Sequence, residues 1–440
     1  MGVTKNRMKI HYGWVVIFMG MLTSVGAHGF GRMAYTLILP EMRTGLGITY
    51  TQAGLLASGN LIGYLLFAFI GGFLAAKYGS RIVISLSLLL MGISMLLTGM
   101  ATSFEFAFAM RLLTGIGNGG AYVPAMALGS TWFAMKQRGF ATGIVSGGIG
   151  VGTCISGIII PIIFISYGTQ GWSYAWYYLG ALVLFISAIC FAFLRNKPSD
   201  LGLKMVGSDS DNSVLQPAKA AIGRPANLQW GLIYRVKAVW FIGIVYFMYG
   251  FSYVIYMTWF KTFLLEAGVA DARASAMWAM VGGLSIFCGI IWGGISDKLG
   301  RNYGAALAYL TLAFSYIVFA LISGSLTPGA DLNSLGAFYL SAALFGLSAW
   351  SIPTIMAAAA GDYVGPDLAP AGVGFVTLFF GIGQAAGPAL GGFLRDATGT
   401  FTMSFTVAAI VSIGGLVGAL LLMKKPAAEV VPGAAVVNKV

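Results

Sequence analysis

Charged residues are scarce in this chain of 440 residues. Only 9% of the residues are Asp, Glu, Lys or Arg, and 58% are hydrophobic. A soluble globular protein carries about 25% charged residues, so this composition excludes an ordinary soluble fold. Apolar runs of about 20 residues, the length that crosses a bilayer as a helix, recur along the chain. The sequence therefore predicts an all-α membrane protein.

Cysteine and histidine are rare as well. The three cysteines all lie in apolar runs, and the two histidines form no metal-ligand spacing with them. We therefore predict no disulfide, no metal site and no cofactor. None of the 13 acidic residues falls in the middle of an apolar run. With no acid, metal cluster or histidine pair for catalysis, the sequence predicts that the protein is not an enzyme.

Twelve membrane helices, six on either side of one polar stretch, are predicted from the apolar runs. The predicted spans are 13–40, 51–76, 82–101, 104–132, 140–167, 172–194, 238–264, 273–295, 302–323, 335–360, 370–394 and 400–423. We expect an N-terminal six-helix bundle over 1–194, a cytoplasmic linker over 195–237, a C-terminal six-helix bundle over 238–425 and a cytoplasmic tail over 426–440.

Lysine and arginine are distributed unevenly between the predicted loops. Nineteen of the 25 lie on the side of the two termini and four on the other side, which leaves only Arg32 and Arg111 within spans. The positive-inside rule then places both termini in the cytoplasm. Because the net charge of +12 is spread over short loops, we expect no nucleic-acid partner. A multi-pass monomer in the bacterial inner membrane is expected.

A sequence repeat relates the two halves. The strings "GFLAAKYGSR", from Gly72, and "GGISDKLGRN", from Gly293, correspond at an offset of 221 residues, and each follows the second span of its half. Repeated halves are typical of secondary transporters, in which the substrate site lies between two repeats that rock against each other.

The second copy of this repeat fits the loop motif G-x-x-x-D-[KR]-x-G-[RK]. Its residues are Gly293, Asp297, Lys298, Gly300 and Arg301. With the twelve-span layout, the motif resembles the major facilitator superfamily, which implies two pseudo-symmetric six-helix bundles. The first copy has Ala76 where that family usually has Asp, which predicts a weaker charge network in the first half. For Arg111, in "RLLTGIG", the resemblance implies a gating or helix-orienting role.

Two further strings are similar to the monocarboxylate and oxalate/formate group of that superfamily. They are "HYGWVV" at 11–16 and "WFAMKQRGFATG" at 132–143. The resemblance implies a basic residue in the first helix near the place of Arg32. The eighth helix of that group carries a second basic residue, but the corresponding positions here are Ser285 and Gly289.

Arg32 interrupts the first apolar run. A cation at that depth costs about 2.5–3.5 kcal/mol on insertion scales, and the sequence offers no carboxylate at the same depth to balance it. A bound anion would be a natural partner, because an uncompensated buried charge is unfavourable. Alternatively, the side chain reaches the outer headgroups. His28 lies on the same helical face. It either contacts the substrate or is a packing residue that hydrogen-bonds within the protein.

Further polar side chains are predicted to face a central cavity. Tyr249 and Tyr253 belong to a stripe of four tyrosines on one face of the seventh span, and Asn118 and Tyr122 form an i, i+4 pair in the fourth. For each pair the alternative is packing between helices. Trp350, in "SAWSIPT", is expected to form an apolar wall beside a kink at Pro353.

These observations predict a secondary transporter that moves a small organic anion, with a monocarboxylate as the first choice, by alternating access. A proton or an exchanged anion is the expected coupling species. A phosphate-ester transporter, a transporter of neutral or amphipathic solutes, and a membrane sensor that transports nothing remain alternatives.

Overall fold

The computed structural model describes residues 11–208, 236–325, 332–364 and 369–422, and nearly all of them are helical. We number the long helices α1 to α12. Their bounds are α1 Tyr12–Leu46, α2 Tyr50–Tyr78, α3 Ser80–Gly99, α4 Phe104–Trp132, α5 Met135–Tyr167, α6 Gly171–Phe193, α7 Lys237–Glu266, α8 Asp271–Leu299, α9 Arg301–Ser325, α10 Leu332–Ser348 and Ser351–Val364, α11 Ala369–Thr398, and α12 Thr402–Leu421.

Ten stretches of the described residues are long and apolar enough to cross a membrane. One of them, Gln137–Phe193, spans 57 residues and contains both α5 and α6, whereas α4 falls outside this set. The twelve helices agree with the predicted spans, with one clear difference. The first span was expected to end at Pro40, but α1 continues to Leu46. Membrane helices tolerate an internal proline where neighbouring groups satisfy the freed backbone.

The helices form two halves, α1–α6 and α7–α12, with matching turns. Gly79 connects α2 to α3 and Gly300 connects α8 to α9, at φ angles of 90° and 94°. Glycine adopts positive φ without a steric penalty, so the repeat read in the sequence is also a repeat of backbone conformation. We call the end that contains these two turns the motif end, and the opposite end, with the turns at Gly47 and Gly268, the far end.

The motif residues of the second half form an ionic cluster at the motif end. Arg301 contacts Asp297 at 2.5 Å and Asp362, in α10, at 3.1 Å. Lys298 is exposed, and a Cβ added at Gly293 would meet nothing within 4 Å. In the first half, Arg81 instead donates to the carbonyl oxygen of Phe191 at 2.7 Å.

The two strings that resemble the monocarboxylate and oxalate/formate group pack together at the motif end. Trp14 of "HYGWVV" lies edge-on to Phe133 of "WFAMKQRGFATG", with ring centroids 4.8 Å apart. Val206, which follows α6, pairs with Phe133 as an isolated parallel β-bridge. The predicted linker is described only up to residue 208, and its remainder up to 235 lies outside the described residues.

Glycine-rich strings allow α2 and α4 to touch through their backbones. A Cβ at Gly115 would lie 2.0 Å from the carbonyl oxygen of Asn60, and one at Gly63 would lie 2.2 Å from that of Leu112. Small residues at such contacts let membrane helices pack closely.

We predict that Gly115→Ala lowers the melting temperature of the purified protein. The added methyl group would meet backbone atoms, which cannot rotate away, and overpacking of this kind costs about 1–3 kcal/mol. Gly143→Ala is the matched control, because a Cβ there meets nothing within 4 Å, and its melting temperature should equal or slightly exceed that of the wild type. Equal melting temperatures for the two variants would contradict the packing argument.

Candidate substrate site

Arg32 lies buried at the interface between the two halves, with 7% of its surface exposed. Its Nη2 donates to the hydroxyl oxygen of Tyr253 in α7 at 2.5 Å. None of the ion pairs in the described part of the chain involves Arg32. The guanidinium therefore faces the other half of the protein, and the alternative in which it reaches the headgroups does not describe this structure.

The backbone that carries Arg32 is a π-helical stretch of α1, Val25–Met33. The amide of Ala34 donates to the carbonyl oxygen of Gly29 at 3.0 Å, five residues back. A Cβ at Gly29 would lie 2.5 Å from the Cα of Gly152 in α5, so α5 packs directly against this stretch. π-helical turns inside α-helices are frequent at functional sites, and nothing in the sequence predicted this one.

Two side chains of α4 hold the π-helical stretch by its carbonyl groups. Asn118 donates to the carbonyl oxygen of Ala27, and Arg111 donates to that of Gly31, both at 2.8 Å. The Arg111 guanidinium also lies 4.6 Å from the ring centroid of Tyr35. This contact agrees with the helix-orienting role expected for Arg111. The amide nitrogen of Asn118, a predicted substrate ligand, is used to bind the backbone of α1.

Tyr253 accepts a second hydrogen bond, from the Nε2 of Gln384 in α11. Gln384 is 2% exposed. Tyr253 also stacks on Tyr249, with the ring centroids 4.6 Å apart and the planes 6° apart. Arg32, Tyr253 and Gln384 thus form one chain of contacts across the two halves.

Tyr249 points to the break in α10 rather than to Arg32. Its hydroxyl donates to the carbonyl oxygen of Ala349, between the two pieces of that helix. Pro353, four residues later, has no amide hydrogen to give that carbonyl, so the tyrosine supplies the missing donor. The predicted kink at Pro353 is thus a break at residues 349 and 350.

Trp350 follows this break and brings its indole to the site. Its ring lies edge-on to Tyr253, with the centroids 6.0 Å apart, and its backbone amide contacts the Sγ of Cys288 at 3.2 Å. The indole Nε1 is buried without a hydrogen-bond partner among the described residues. The predicted apolar wall therefore also presents a donor.

His28 is enclosed by aromatic rings from two helices of its own half. Its ring centroid lies 4.1 Å from that of Tyr122 and 5.5 Å from that of Tyr64. The Nδ1 of His28 is buried and has no partner in the described chain. In the sequence, Tyr64 lies four residues after Asn60, and this spacing does not indicate its contact with His28.

This arrangement suits an oxyanion. The Nε of Arg32 and the Nε1 of Trp350 are both buried donors without partners among the described residues, and both side chains adjoin Tyr253. A buried donor that stays unsatisfied costs about 1–3 kcal/mol. An anion at this position would accept hydrogen bonds from both groups and balance the charge of Arg32.

A buried lysine links the halves at the far end. Lys261 in α7 has no exposed surface. Its Nζ lies 2.9 Å from the carbonyl oxygen of Leu37, 3.5 Å from Glu41 in α1, and 2.6 Å from Asp271 in α8. In the sequence, Lys261 is one of the four cationic residues on the side opposite the termini. Its position within the apolar string "MTWFKTFLLE" was the available signal for burial.

A second far-end contact joins α11 to the start of α2. The Asp396 carboxylate accepts hydrogen bonds from the amides of Tyr50 and Thr51 and from the Thr51 hydroxyl, at 2.6–3.2 Å. The hydroxyl of Tyr50 donates to Glu266 at 2.5 Å. Among the described residues, every hydrogen bond and ion pair between the halves lies at the level of Arg32 or nearer the far end.

The halves separate toward the motif end. Four glycines of α5, spaced four, three and seven residues apart, share one helical face. A Cβ at Gly157 or Gly150 would lie 2.8 or 2.6 Å from atoms of α8, one at Gly147 would lie 3.9 Å from Ile286, and one at Gly143 would meet nothing within 4 Å. The two halves are therefore in contact along α5 and α8 near the far end and lie apart at the motif end of these helices.

The sequence family described as Major Facilitator Superfamily matches residues 21–334 of the chain. The chain belongs to the major facilitator superfamily. The resemblance stated from the loop motif is thereby confirmed.

Curated relatives of this superfamily member are transporters. The "Probable sulfoacetate transporter" of Cupriavidus necator is 29% identical over 405 residues, which cover 88% of each chain. The "Hexuronate transporter" of Bacillus subtilis is 24% identical over 86% of this chain and 87% of its own. The prediction that the protein is not an enzyme agrees with these relatives.

Solved structures show the same fold. A D-xylose-proton symporter is 14% identical and superimposes with a TM-score of 0.69, over 94% of this chain and 96% of its own. A bacterial homologue of the human lysosomal transporter Spinster, 17% identical, also gives a TM-score of 0.69, over 93% and 96%. The predicted major facilitator fold is confirmed.

We predict that Tyr249→Phe lowers the melting temperature, because it leaves the Ala349 carbonyl without a donor, at a cost of about 1–3 kcal/mol. Tyr246→Phe is the matched control: this residue lies on the same helix and stacks on Phe380, while the Ala349 carbonyl accepts its hydrogen bond from Tyr249. Thermal unfolding of both variants in detergent measures the difference. A Tyr249→Phe protein as stable as the control would argue against the role of the hydroxyl in the helix break.

Proposed function

We propose that this protein is a secondary transporter for a small organic anion and that Arg32 binds the anionic group. The observation that carries the proposal is the buried guanidinium of Arg32, which has a free Nε and no carboxylate partner among the described residues. Trp350 and His28 present further buried nitrogen atoms without described partners.

The names of the relatives support an organic anion, since they include transporters of sulfoacetate, hexuronate and tartrate. Within this class we propose a monocarboxylate or another singly charged acid, because Arg32 is the one cationic side chain found at the site in the described chain. The surrounding rings of Tyr122, Tyr253 and Trp350 offer apolar surface for the carbon part of such a solute.

We further propose transport by alternating access across the bacterial inner membrane, with the motif end in the cytoplasm. The excess of Lys and Arg on the motif side supports this orientation. The closed far end and the separated motif end support a conformation that is open to the cytoplasm. A proton or an exchanged anion is the proposed coupling species, and His28 or the carboxylate of the substrate would carry the proton.

Counterflow in proteoliposomes tests this function. Vesicles loaded with an unlabelled organic anion should accumulate the same labelled anion, and the panel should include monocarboxylates, sulfonates, phosphate esters and neutral solutes. We predict that Arg32→Gln lowers uptake about 10- to 100-fold, the loss expected for a charge-assisted hydrogen bond worth about 1.5–3 kcal/mol. Arg32→Lys should lose less, because the charge is kept but the planar fork is lost.

Arg273→Gln is the matched control, since Arg273 is an exposed arginine at the far end, and it should transport like the wild type. Normal anion uptake by Arg32→Gln would remove Arg32 from the site. Uptake of neutral solutes alone by the wild type would reject the anion class.

Lys261 provides a test of the proposed closure of the far end. In the wild type, Thr36→Cys should react slowly with a membrane-impermeant maleimide added from the far side, because Thr36 is buried between the halves and donates to the carbonyl oxygen of Met257. We predict that adding Lys261→Met speeds this labelling several-fold. Glu41 and Asp271 lose their shared cation, and the link between the halves at the far end is lost with it. Labelling of the chain without the introduced cysteine gives the background.

Lys298→Met serves as the control in the same assay, because Lys298 is exposed at the motif end and should leave the labelling rate unchanged. If Lys261→Met also left the rate unchanged, Lys261 would have no part in closing the far end.

A further inference from the structure

Gln384 carries a buried side-chain amide to which the proposed function assigns no role. It lies in the string "GIGQAAG" of α11, where the helix approaches α7 closely. A Cβ at Gly383 would lie 2.5 Å from the carbonyl oxygen of Phe247, and one at Gly387 would lie 2.7 Å from that of Phe251. This backbone contact brings the Gln384 amide within hydrogen-bonding reach of Tyr253.

The two hydrogen bonds that Tyr253 accepts determine what its hydroxyl can still do. A phenolic hydroxyl has one hydrogen to donate and two acceptor positions. Arg32 and Gln384 both donate to this oxygen, so its own hydrogen is left as a donor. Among the described residues, none accepts that hydrogen. The hydroxyl of Tyr253 thus presents a hydrogen-bond donor beside the guanidinium of Arg32.

We propose that Gln384 is a positioning residue for the anion. By donating to Tyr253, the amide keeps this hydroxyl oriented as a donor toward an oxygen of the bound anion, next to Arg32. Gln384 itself need not touch the substrate. This inference rests on the proposed function. It adds a specificity-determining donor, the hydroxyl of Tyr253 in the second half, to the charge of Arg32 in the first half.

A carboxylate in place of the amide should reverse this effect. In Gln384→Glu the side chain would accept the hydroxyl hydrogen of Tyr253 and place a negative charge one side chain away from Arg32. The hydroxyl would then no longer be available to the anion, and the negative charge would repel it. A residue that only fills space would respond to the loss of volume and not to this change of charge and hydrogen bonding.

The test measures KM and Vmax for counterflow of an anion that the wild type transports. We expect Gln384→Met to raise KM about three- to tenfold, the effect of one neutral hydrogen bond, with Vmax within about twofold. Gln384→Glu should raise KM more than Gln384→Met does. In a Tyr253→Phe background, Gln384→Met should have no further effect, because the amide acts through that hydroxyl.

Thr377→Val is the control on the same helix, since the hydroxyl of Thr377 bonds to Val373 of α11 itself, and it should leave KM unchanged. If Gln384→Met does not reach the membrane, Gln384→Asn tests the same point, because the shorter amide cannot reach Tyr253 and KM should rise likewise.

An unchanged KM in the Gln384 variants, a loss confined to Vmax, or additive effects with Tyr253→Phe would overturn the inference. The proposed function fails separately, if the wild type transports no organic anion or if Arg32→Gln transports it normally.

Discussion

The charge of Arg32, buried between the two halves, is the constraint on which the rest of the site depends. An uncompensated cation in a low-dielectric interior is strongly unfavourable, and in the described chain no acidic side chain pairs with it. The contact with Tyr253 of the other half satisfies only one side of the guanidinium. The glycine-rich π-helical stretch, its anchors on α4 and the contact with Tyr253 together hold this charge between the two halves.

Backbone carbonyl groups accept the hydrogen bonds of several other buried polar side chains. Tyr249 donates to Ala349, Arg111 to Gly31 and Lys261 to Leu37. Two of these acceptors lie in α1 and the third at the break in α10, where Pro353 cannot donate to the Ala349 carbonyl. A protein interior with few carboxylates can therefore still satisfy its tyrosines, arginines and lysines. The acids are instead concentrated at the ends, where Glu41 and Asp271 pair with Lys261.

Much of the architecture could be predicted because helix length, loop charge and repeated motifs are local properties of the sequence. The spans, the correspondence of the loops at Gly79 and Gly300, and the presence of Arg32 inside the first membrane helix followed from such properties. The π-helical stretch, the burial of Lys261 and the contact of Gln384 with Tyr253 did not. Each depends on the approach of a second helix, and helices that are apolar on every side carry no periodic signal of which face meets which neighbour.

The tyrosines of α7 illustrate the same limit. Their spacing correctly indicates one helical face, yet Tyr253 contacts Arg32 while Tyr249, one turn earlier, serves the break in α10. Periodicity assigns a face, whereas the partner of each hydroxyl depends on the depth of the residue and on where a neighbouring helix is interrupted.

Direct binding measured by thermal stability tests the central claim most simply, because a ligand that binds the folded state raises its melting temperature by mass action. The melting temperature of the purified wild type should rise with increasing concentrations of a small organic anion and stay constant with a neutral analogue of the same size. In Arg32→Gln the rise should be lost. An equal rise in the variant would contradict the account, since the anion would then be held without the guanidinium.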